Sequence, residues 1–254
     1  MKVLGIDIGG TGIKGAVVDT KRGVLKTDRL RMPTPSHPDP ANVSDVLATL
    51  VQHFDWDGPV GCTFPGVIRA GTVHTAANLV PDWVGNDADA VFSEATGCPV
   101  TVLNDADAAG LAESTFGAAR GRRGVVVMVT LGTGIGTAVL LDGRLLPNSE
   151  LGHLPLHGDD AERYASDSAR EREGLDYETF GARLGEYLRL VEDLLWPDLF
   201  VIGGGVSKKA DRFLPSITCR TPVVAARLLN QAGIVGAALH AHWHRATQRG
   251  KRAD

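Results

Sequence analysis

The stretch that decides the fold is residues 3–18, which read VLGIDIGGTGIKGAVV. Val3–Ile8 is apolar and partly β-branched, three glycines at 9, 10 and 12 interrupt it, and Ile13–Val18 resumes the apolar pattern. Apolar runs of this length separated by glycine are typical of strands joined by a tight turn. The sequence therefore begins with a predicted strand, turn and strand.

Residues 129–138, VTLGTGIGTA, repeat this arrangement in the second half of the chain. We interpret the pair as an internal duplication of architecture and expect a hinge near residues 103–104. The predicted domains are residues 1–103, completed by a C-terminal helix at 233–247, and residues 104–232. A cleft between two such halves is where we expect the active site.

The remaining chain alternates between strand and helix patterns, which predicts the α/β class. Predicted helices cover residues 43–54, 88–95, 104–116, 160–173, 177–195 and 233–244. Predicted strands cover residues 24–31, 60–64, 99–103, 199–202 and 222–225, and Asp142-Gly143 indicates a hairpin.

Composition limits the function classes. The 254 residues suffice for one large domain or two ordinary ones, and 43% hydrophobic residues suffice for a core. Thirty acidic against 26 basic side chains argue against general nucleic-acid binding. Three cysteines without a CxxC pair argue against a disulfide framework or a cysteine zinc site. With no signal-peptide pattern and no apolar run of about 18 residues, we expect a cytoplasmic protein without a membrane span.

The first glycine turn has the composition of a phosphate site, because glycines let backbone amides approach an anion. Asp7 at the strand end could hold Mg²⁺ directly or through water. Neither a Walker loop nor a dinucleotide fingerprint fits, since the Walker spacing is missing and a strand follows the turn. An ordinary hairpin is the alternative. The predicted phosphate-binding residues here are Asp7, Gly9, Gly10, Thr11, Gly12 and Lys14.

Two further glycine turns extend this prediction. The turn at residues 131–136 contributes Thr133 and Gly134, and Gly203-Gly204-Gly205 follows an apolar strand and precedes Lys208 and Lys209. We predict donor contacts from Thr133, Gly134, Gly204, Gly205 and Lys208; a tight strand-to-helix turn with solvated lysines is the alternative.

Polar residues follow the predicted strand 99–103 and open a helix. Asp105 would accept the proton of a hydroxyl as phosphorus is attacked, whereas the alternative is that Asn104 and Asp105 only cap the helix. Glu150 and His153, three residues apart, would hydrogen-bond sugar hydroxyls, with Glu162 as a further carboxylate. As metal ligands they would have only His157 nearby to complete a site.

Together these segments resemble the ROK family of sugar kinases, within the actin-like ATPase superfamily. The matching residues are Asp7–Thr11, Asn104-Asp105, Leu131–Gly136 and Glu150–His153. Residues 63–66, TFPG, and 196–211, WPDLFVIGGGVSKKAD, resemble the polyphosphate-using branch of that family.

The resemblance implies a duplicated two-domain actin-like ATPase (ribonuclease H-like) fold with a central cleft, Mg²⁺ dependence and a homodimer. It implies phosphorylation of glucose at the 6-hydroxyl, with mannose left open, from polyphosphate, ATP or both. Asp105 would be the general base, and the sugar contacts would be Asn78, Asn104, Glu150, His153 and Glu162. The family's Cys-x-Cys-Gly zinc motif is missing after His153, so no structural zinc is expected.

Two alternatives stay open. One is an ATP-only kinase of the same fold that acts on another hexose or an N-acetylhexosamine. The other is a sugar-sensing protein without catalysis. A polyphosphate donor is a polyanion and would be bound by a row of basic side chains that leads into the cleft. The candidates are Arg120, Arg122, Arg123, Lys208, Lys209 and Arg212.

Overall fold

The computed structural model describes residues 1–77 and 79–250, and of residues 247–250 only the backbone. The described chain forms two compact units. The first unit is Met1–Ala108 together with the segment that begins at Gln231, and the second unit is Ala109–Asn230. The domain boundaries predicted at residues 103–104 and 232–233 stay a prediction.

The elements follow each other in mixed order. The strands are β1 Lys2–Gly9, β2 Gly12–Asp19, β3 Val24–Leu25, β4 Leu30–Met32, β5 Val60–Phe64, β6 Ile68–Arg69, β7 Thr72–Val73, β8 Val100–Asn104, β9 Val125–Leu131, β10 Ile135–Leu141, β11 Arg144–Leu146, β12 Pro155–Leu156, β13 Asp159–Asp160, β14 Leu199–Gly204 and β15 Val223–Ala225. The helices are α1 Pro40–His53, α2 Ala88–Thr96, α3 Asp105–Phe116, α4 Ala161–Ala165, α5 Asp167–Glu173, α6 Tyr177–Leu195, α7 Ala210–Phe213 and α8 Ala232–Gly250. Short 3₁₀ helices cover Pro81–Trp83, Leu151–His153, Gly205–Lys209, Leu214–Ser216 and Leu229–Gln231.

The sheet of the first unit has the order β3-β2-β1-β5-β8, and β4 also pairs with β2. β1 and β2 are antiparallel with Gly9 opposite Gly12, which confirms the predicted hairpin and leaves two residues in its turn. β5 and β8 continue the sheet in parallel. The single strand predicted at residues 24–31 was wrong: it divides into β3 and β4, because the Thr27 hydroxyl takes the Val17 N–H (3.1 Å) between them.

The sheet of the second unit repeats this plan in the order β11-β10-β9-β14-β15. Again three strands are antiparallel, and the last two run parallel to the first strand of the hairpin. Two sheets with the same order and the same strand directions confirm the internal duplication inferred from the two glycine-rich hairpins. The predicted hairpin at Asp142-Gly143 is present between β10 and β11.

Glycines let α8 lie directly against the first sheet. A Cβ on Gly5 would lie 2.1 Å from the Ile234 carbonyl oxygen, and one on Gly61 would lie 1.9 Å from that of Ala237. Real Cβ atoms do not approach backbone this closely, so β1 and β5 need glycine where α8 crosses them. The C-terminal helix is thereby a layer of the first unit. The rest of this unit's core includes Trp83, which is fully buried against Phe64 and Phe92.

The helix predicted over residues 160–173 was wrong as a single element. It is interrupted at Ser166, whose backbone is extended (ψ 164°) and whose hydroxyl accepts a hydrogen bond from Ala169 N–H at 3.1 Å. A serine that caps a new helix ends the preceding one, so α4 and α5 are separate. Before them, β12 and β13 form a hairpin around His157 (φ 56°) and Gly158 (φ 85°), the left-handed pair of a type I′ turn.

In the part of the chain described, every helix is too short or too polar to span a membrane.

Candidate functional site

Asp7 is held by side chains from two neighbouring strands. Its register partner on β2 is Lys14, and Lys14 Nζ lies 3.2 Å from Asp7 Oδ2. Asp7 Oδ1 accepts a hydrogen bond at 3.0 Å from the Thr63 hydroxyl on β5, and that hydroxyl accepts one from Ile8 N–H at 2.9 Å. The fully buried Thr63 therefore connects the backbone of β1 to the Asp7 carboxylate.

The first turn of α8 also lies against this carboxylate. A Cβ on Gly233 would lie 2.8 Å from Asp7 Oδ1. Because both Asp7 oxygens already accept donors, the residues fit a magnesium ion held through water better than one bound directly.

The turn between β1 and β2 is fixed by two side chains that bind its carbonyls. Arg31 donates to the Thr11 carbonyl at 2.7 Å, and Thr34 donates to the Gly9 carbonyl at 2.5 Å. A Cβ on Gly12 would lie 2.7 Å from Arg31 Nε, so a larger residue there would displace the end of the Arg31 side chain that holds the Thr11 carbonyl. Gly10 and Thr11 are exposed at the tip. The turn is thus a fixed loop whose exposed tip suits a phosphate.

Asn104 and Asp105 have different roles at the start of α3. The buried Asn104 caps the helix: its Oδ1 accepts from Asp107 N–H at 3.0 Å, and its Nδ2 donates to the Gly66 carbonyl at 3.1 Å. Asp105 is half-buried and accepts at Oδ1 from Ala106 N–H at 2.8 Å. Asn104 therefore supplies the helix cap, and Asp105 adds a half-buried carboxylate at the same end of α3.

In the second unit, a carboxylate and histidine group forms around the 3₁₀ helix Leu151–His153. His153 Nδ1 lies 2.9 Å from Asp160 Oδ2, and His153 Nε2 lies 3.8 Å from Glu150 Oε2. The hydrogen bond that Asp160 accepts from the His153 ring raises the pKa of His153, and the neighbouring carboxylates add to this. Burial raises the pKa of Glu150, opposed by the attraction of His153. This group has the hydrogen-bonding capacity to hold several hydroxyls at once.

Glu162 joins the same group and also supports the second glycine turn. Its Oε2 accepts a hydrogen bond from Ile135 N–H at 3.1 Å, and a Cβ on Gly134 would lie 2.2 Å from that oxygen. Ligand atoms of His153, Asp160 and Glu162 lie within 4.8 Å of one another, a set able to hold a cation. The sequence lacks the Cys-x-Cys-Gly motif that would have indicated where Glu162 lies relative to His153. These contacts place Glu162 in the same group as His153.

The second and third glycine turns are neighbours in the second sheet. Gly204 pairs with Leu131, has φ +82°, and would bring a Cβ to 2.1 Å from the Leu131 carbonyl oxygen. A Cβ on Gly132 or on Gly205 would meet none of the described non-neighbouring atoms within 4 Å. Two turns with open space above them therefore lie side by side, with Thr133 and Lys208 exposed beside them.

Of the predicted sugar contacts, Asn78 lies outside the described residues. Sequence reasoning missed two positioning residues, Thr63 and Asp160. Asp160 had a signal, since His157-Gly158 is a hairpin turn pair that brings the residues after it back towards His153. Thr63 had no local signal, because its partner Asp7 is 56 residues away.

Comparison with known proteins gives consistent results. The family model described as ROK family matches residues 3–174. A polyphosphate glucokinase of Mycobacterium tuberculosis is 48% identical over 92% of this chain and 89% of its own length. The crystal structure of an inorganic polyphosphate/ATP-glucomannokinase from Arthrobacter sp. strain KM superposes with a TM-score of 0.93 at 49% identity, over 96% of this chain and 99% of the other.

A more distant solved structure is a ROK family glucokinase from Streptomyces griseus in complex with glucose and AMPPNP. It has a TM-score of 0.82 at 25% identity, over 96% of this chain and 100% of the other. These likenesses confirm the predicted actin-like ATPase fold class. The matched family model, the relatives similar over nearly their whole length and the duplicated sheets together establish that this chain belongs to the ROK family.

Proposed function

We propose that this protein phosphorylates glucose at its 6-hydroxyl with inorganic polyphosphate, ATP or both as donor. The observation that carries the proposal is the half-buried Asp105 carboxylate, which begins α3 while its neighbour Asn104 does the capping. Support comes from the likeness to the mycobacterial polyphosphate glucokinase and to the Arthrobacter glucomannokinase.

Asp105 acts as the general base in this proposal. The sugar hydroxyl oxygen forms a bond to the terminal phosphorus of the donor, and the bond between that phosphorus and the bridging oxygen breaks. The hydroxyl proton passes to the Asp105 carboxylate, and the shortened polyphosphate or ADP leaves. Because phosphoryl transfer depends mainly on positioning and charge stabilisation, one well-placed proton acceptor suffices.

Magnesium would be held at Asp7 through water, where it would neutralise charge on the transferred phosphoryl group. Lys14, 3.2 Å from Asp7, keeps the carboxylate in place and adds a cation beside the first glycine turn. The exposed residues Gly10 and Thr11 would contact donor phosphate there. Thr133, Gly134, Gly204, Gly205 and Lys208 would serve the donor in the second unit.

The sugar contacts we propose are Asn78, Asn104, Glu150, His153 and Glu162. His153 is oriented by its 2.9 Å contact with Asp160, which leaves Nε2 directed to the Glu150 side of the group. Several fixed acceptors and donors in one group are what recognition of neighbouring ring hydroxyls requires. A homodimer, implied by the family resemblance, and a cytoplasmic location, expected from the sequence pattern, belong to the same proposal.

The test is a phosphorylation assay that crosses two donors, long-chain polyphosphate and ATP, with glucose, mannose, fructose and N-acetylglucosamine. We expect turnover of glucose with polyphosphate, dependent on Mg²⁺. Turnover of glucose with ATP but not with polyphosphate would remove polyphosphate as a donor, and turnover of only another sugar with ATP would favour the ATP-only kinase. No turnover of any sugar, together with sugar binding by calorimetry, would favour the non-catalytic sensor.

A further inference from the structure

We propose that Lys209 and Arg212, gathered on the ring of Tyr177 in the second unit, bind the distal phosphates of a polyphosphate donor, beyond the phosphate that is transferred. This inference rests on the proposed function, since it concerns the donor. It identifies a binding surface, here named the Tyr177 cluster: Arg170, Tyr177, Lys209 and Arg212.

Three cations converge on one aromatic ring in this cluster. Arg212 Cζ lies 4.2 Å from the centroid of the Tyr177 ring, Arg170 Cζ 5.0 Å and Lys209 Nζ 5.6 Å. Phe213 stacks on the same ring, with centroids 6.4 Å apart. Attraction to the face of the ring holds the three cations in place. Because each carries a positive charge, they also repel one another.

The charges of the cluster are only partly compensated within the chain. Arg170 is ion-paired with Asp167 at 2.7 Å and with Glu171 at 3.1 Å. Lys209 and Arg212 are exposed, and within residues 1–77 and 79–250 neither has an ion pair or a side-chain hydrogen bond. Two fixed cations without a carboxylate partner form a site for an external anion.

The cluster begins where the two open glycine turns lie. Ser168 N–H, in the first turn of α5, donates to the Gly132 carbonyl at 3.0 Å, so the helix that carries Arg170 starts at the second glycine turn. The 3₁₀ helix Gly205–Lys209 starts at the third turn and leads into α7, which carries Arg212. A 3₁₀ helix rises about 2 Å per residue, so Lys209 lies roughly 8 Å along it from Gly205.

This placement suits a long linear polyanion more than a single phosphate. The open space at Gly132 and Gly205 would take the reacting end of the donor, and the next phosphates would continue along Lys208 to Lys209 and Arg212. In ATP the adenosine follows the phosphates, and because it is uncharged it would form no ion pair with Lys209 or Arg212. The cluster is therefore expected to increase the affinity for long polyphosphate chains and to contribute little to the binding of ATP.

The test compares the double variant Lys209→Gln/Arg212→Gln with wild type, using long-chain polyphosphate, tripolyphosphate and ATP as donors. We expect the KM for long-chain polyphosphate to rise on the order of 10-fold and its dependence on salt to weaken, because two contacts to the polyanion are lost. The KM values for ATP and glucose and the melting temperature should stay at the wild-type values. Lys26→Gln/Arg144→Gln, which neutralises an exposed lysine and an exposed arginine elsewhere, is the matched control.

The outcomes separate this inference from the proposed function. If wild type uses polyphosphate and the double variant has the wild-type KM for it, only the inference fails. An effect in Arg122→Gln/Arg123→Gln instead would place the distal phosphates on that other basic segment. An equal rise in the KM for ATP would show that the cluster serves the reacting end. If wild type phosphorylates glucose with ATP but shows no turnover with polyphosphate, the inference fails while glucose phosphorylation stands; both fail only if no donor supports turnover of glucose.

Discussion

Glu162 Oε2 accepts a hydrogen bond from Ile135 N–H at 3.1 Å, directly beside the α-carbon of Gly134. The second glycine turn and one of the predicted sugar-binding carboxylates therefore form one piece of structure. A change on the donor side of the second unit is expected to reach the sugar side through this contact.

Gly134→Ala tests this coupling. The new Cβ would lie 2.2 Å from Glu162 Oε2, so the carboxylate has to move. We expect kcat/KM for glucose to fall on the order of 10²-fold, because misplacement of a positioning group by about 1 Å has effects of this size. The matched control is Gly132→Ala, whose Cβ meets none of the described non-neighbouring atoms within 4 Å and which should change the donor KM only. A wild-type kcat/KM for glucose in Gly134→Ala would contradict the coupling.

Asp105→Asn tests the proton acceptor. The amide can still accept from Ala106 N–H but cannot take a proton, so we expect kcat to fall by about 10²- to 10⁴-fold. Glucose binding, measured by calorimetry, and the melting temperature should be preserved. A variant that retains wild-type kcat would remove Asp105 from the mechanism.

Asp160→Asn tests the orientation and charge of His153. The hydrogen bond from the His153 ring to the Asp160 carboxylate is the main cause of the raised pKa of His153, so its loss should lower that pKa. In wild type, the raised pKa favours the protonated imidazole in the folded state. The stability it contributes is present below the ordinary pKa of about 6.5 and is lost as the pH rises through the folded pKa.

The measurement is the pH titration of the His153 ring by NMR, assigned with His153→Gln. In Asp160→Asn the midpoint should move to lower pH, and the pH dependence of the glucose KM should move with it. Glu186→Gln, which removes the partner of His157 instead, is the control and should leave His153 unchanged. An unchanged midpoint in Asp160→Asn would exclude Asp160 as the cause.

Thr63→Val tests the connection between β1 and Asp7. Valine keeps the shape of threonine but leaves the buried Ile8 N–H without its acceptor and Asp7 Oδ1 without its donor. We expect a loss of about 1–3 kcal/mol in the free energy of unfolding and a higher Mg²⁺ requirement. Thr63→Ser keeps the hydroxyl and should restore the Mg²⁺ requirement; if serine and valine behave alike, the hydroxyl is not what positions Asp7.

His240→Gln tests a half-buried histidine on α8. Burial, with repulsion from His244 stacked beside it, lowers the pKa of His240 to about 4. Below the ordinary pKa of about 6.5 the unfolded chain binds a proton that the folded chain does not, so stability falls as the pH drops from 6.5 towards 4. The melting temperature of His240→Gln should fall less over this interval than that of wild type. The exposed His74→Gln should behave as wild type.

Much of the fold was predictable because its signals are local. Glycines between apolar runs predicted both hairpins, and apolar residues at helical spacing predicted α1, α2 and α6. The errors arose where a side chain replaces a backbone partner: Thr27 divides one predicted strand, and Ser166 divides one predicted helix. When a side-chain hydroxyl accepts a hydrogen bond from a backbone N–H, the spacing of apolar residues does not change, so the hydrophobic pattern cannot reveal it.

Some features of the candidate site were likewise predictable from local sequence, and others were not. The sequence by itself determined which residues are predicted to carry chemistry, namely Asp7, Asp105, Glu150, His153 and the glycine turns, because their types and spacings are visible locally. Only the tertiary structure decided that Thr63 holds Asp7 and that Glu162 lies beside Gly134. The same holds for the cations gathered on Tyr177. These relationships join residues tens of positions apart, and their distances follow from strand register and helix packing, which no local pattern encodes.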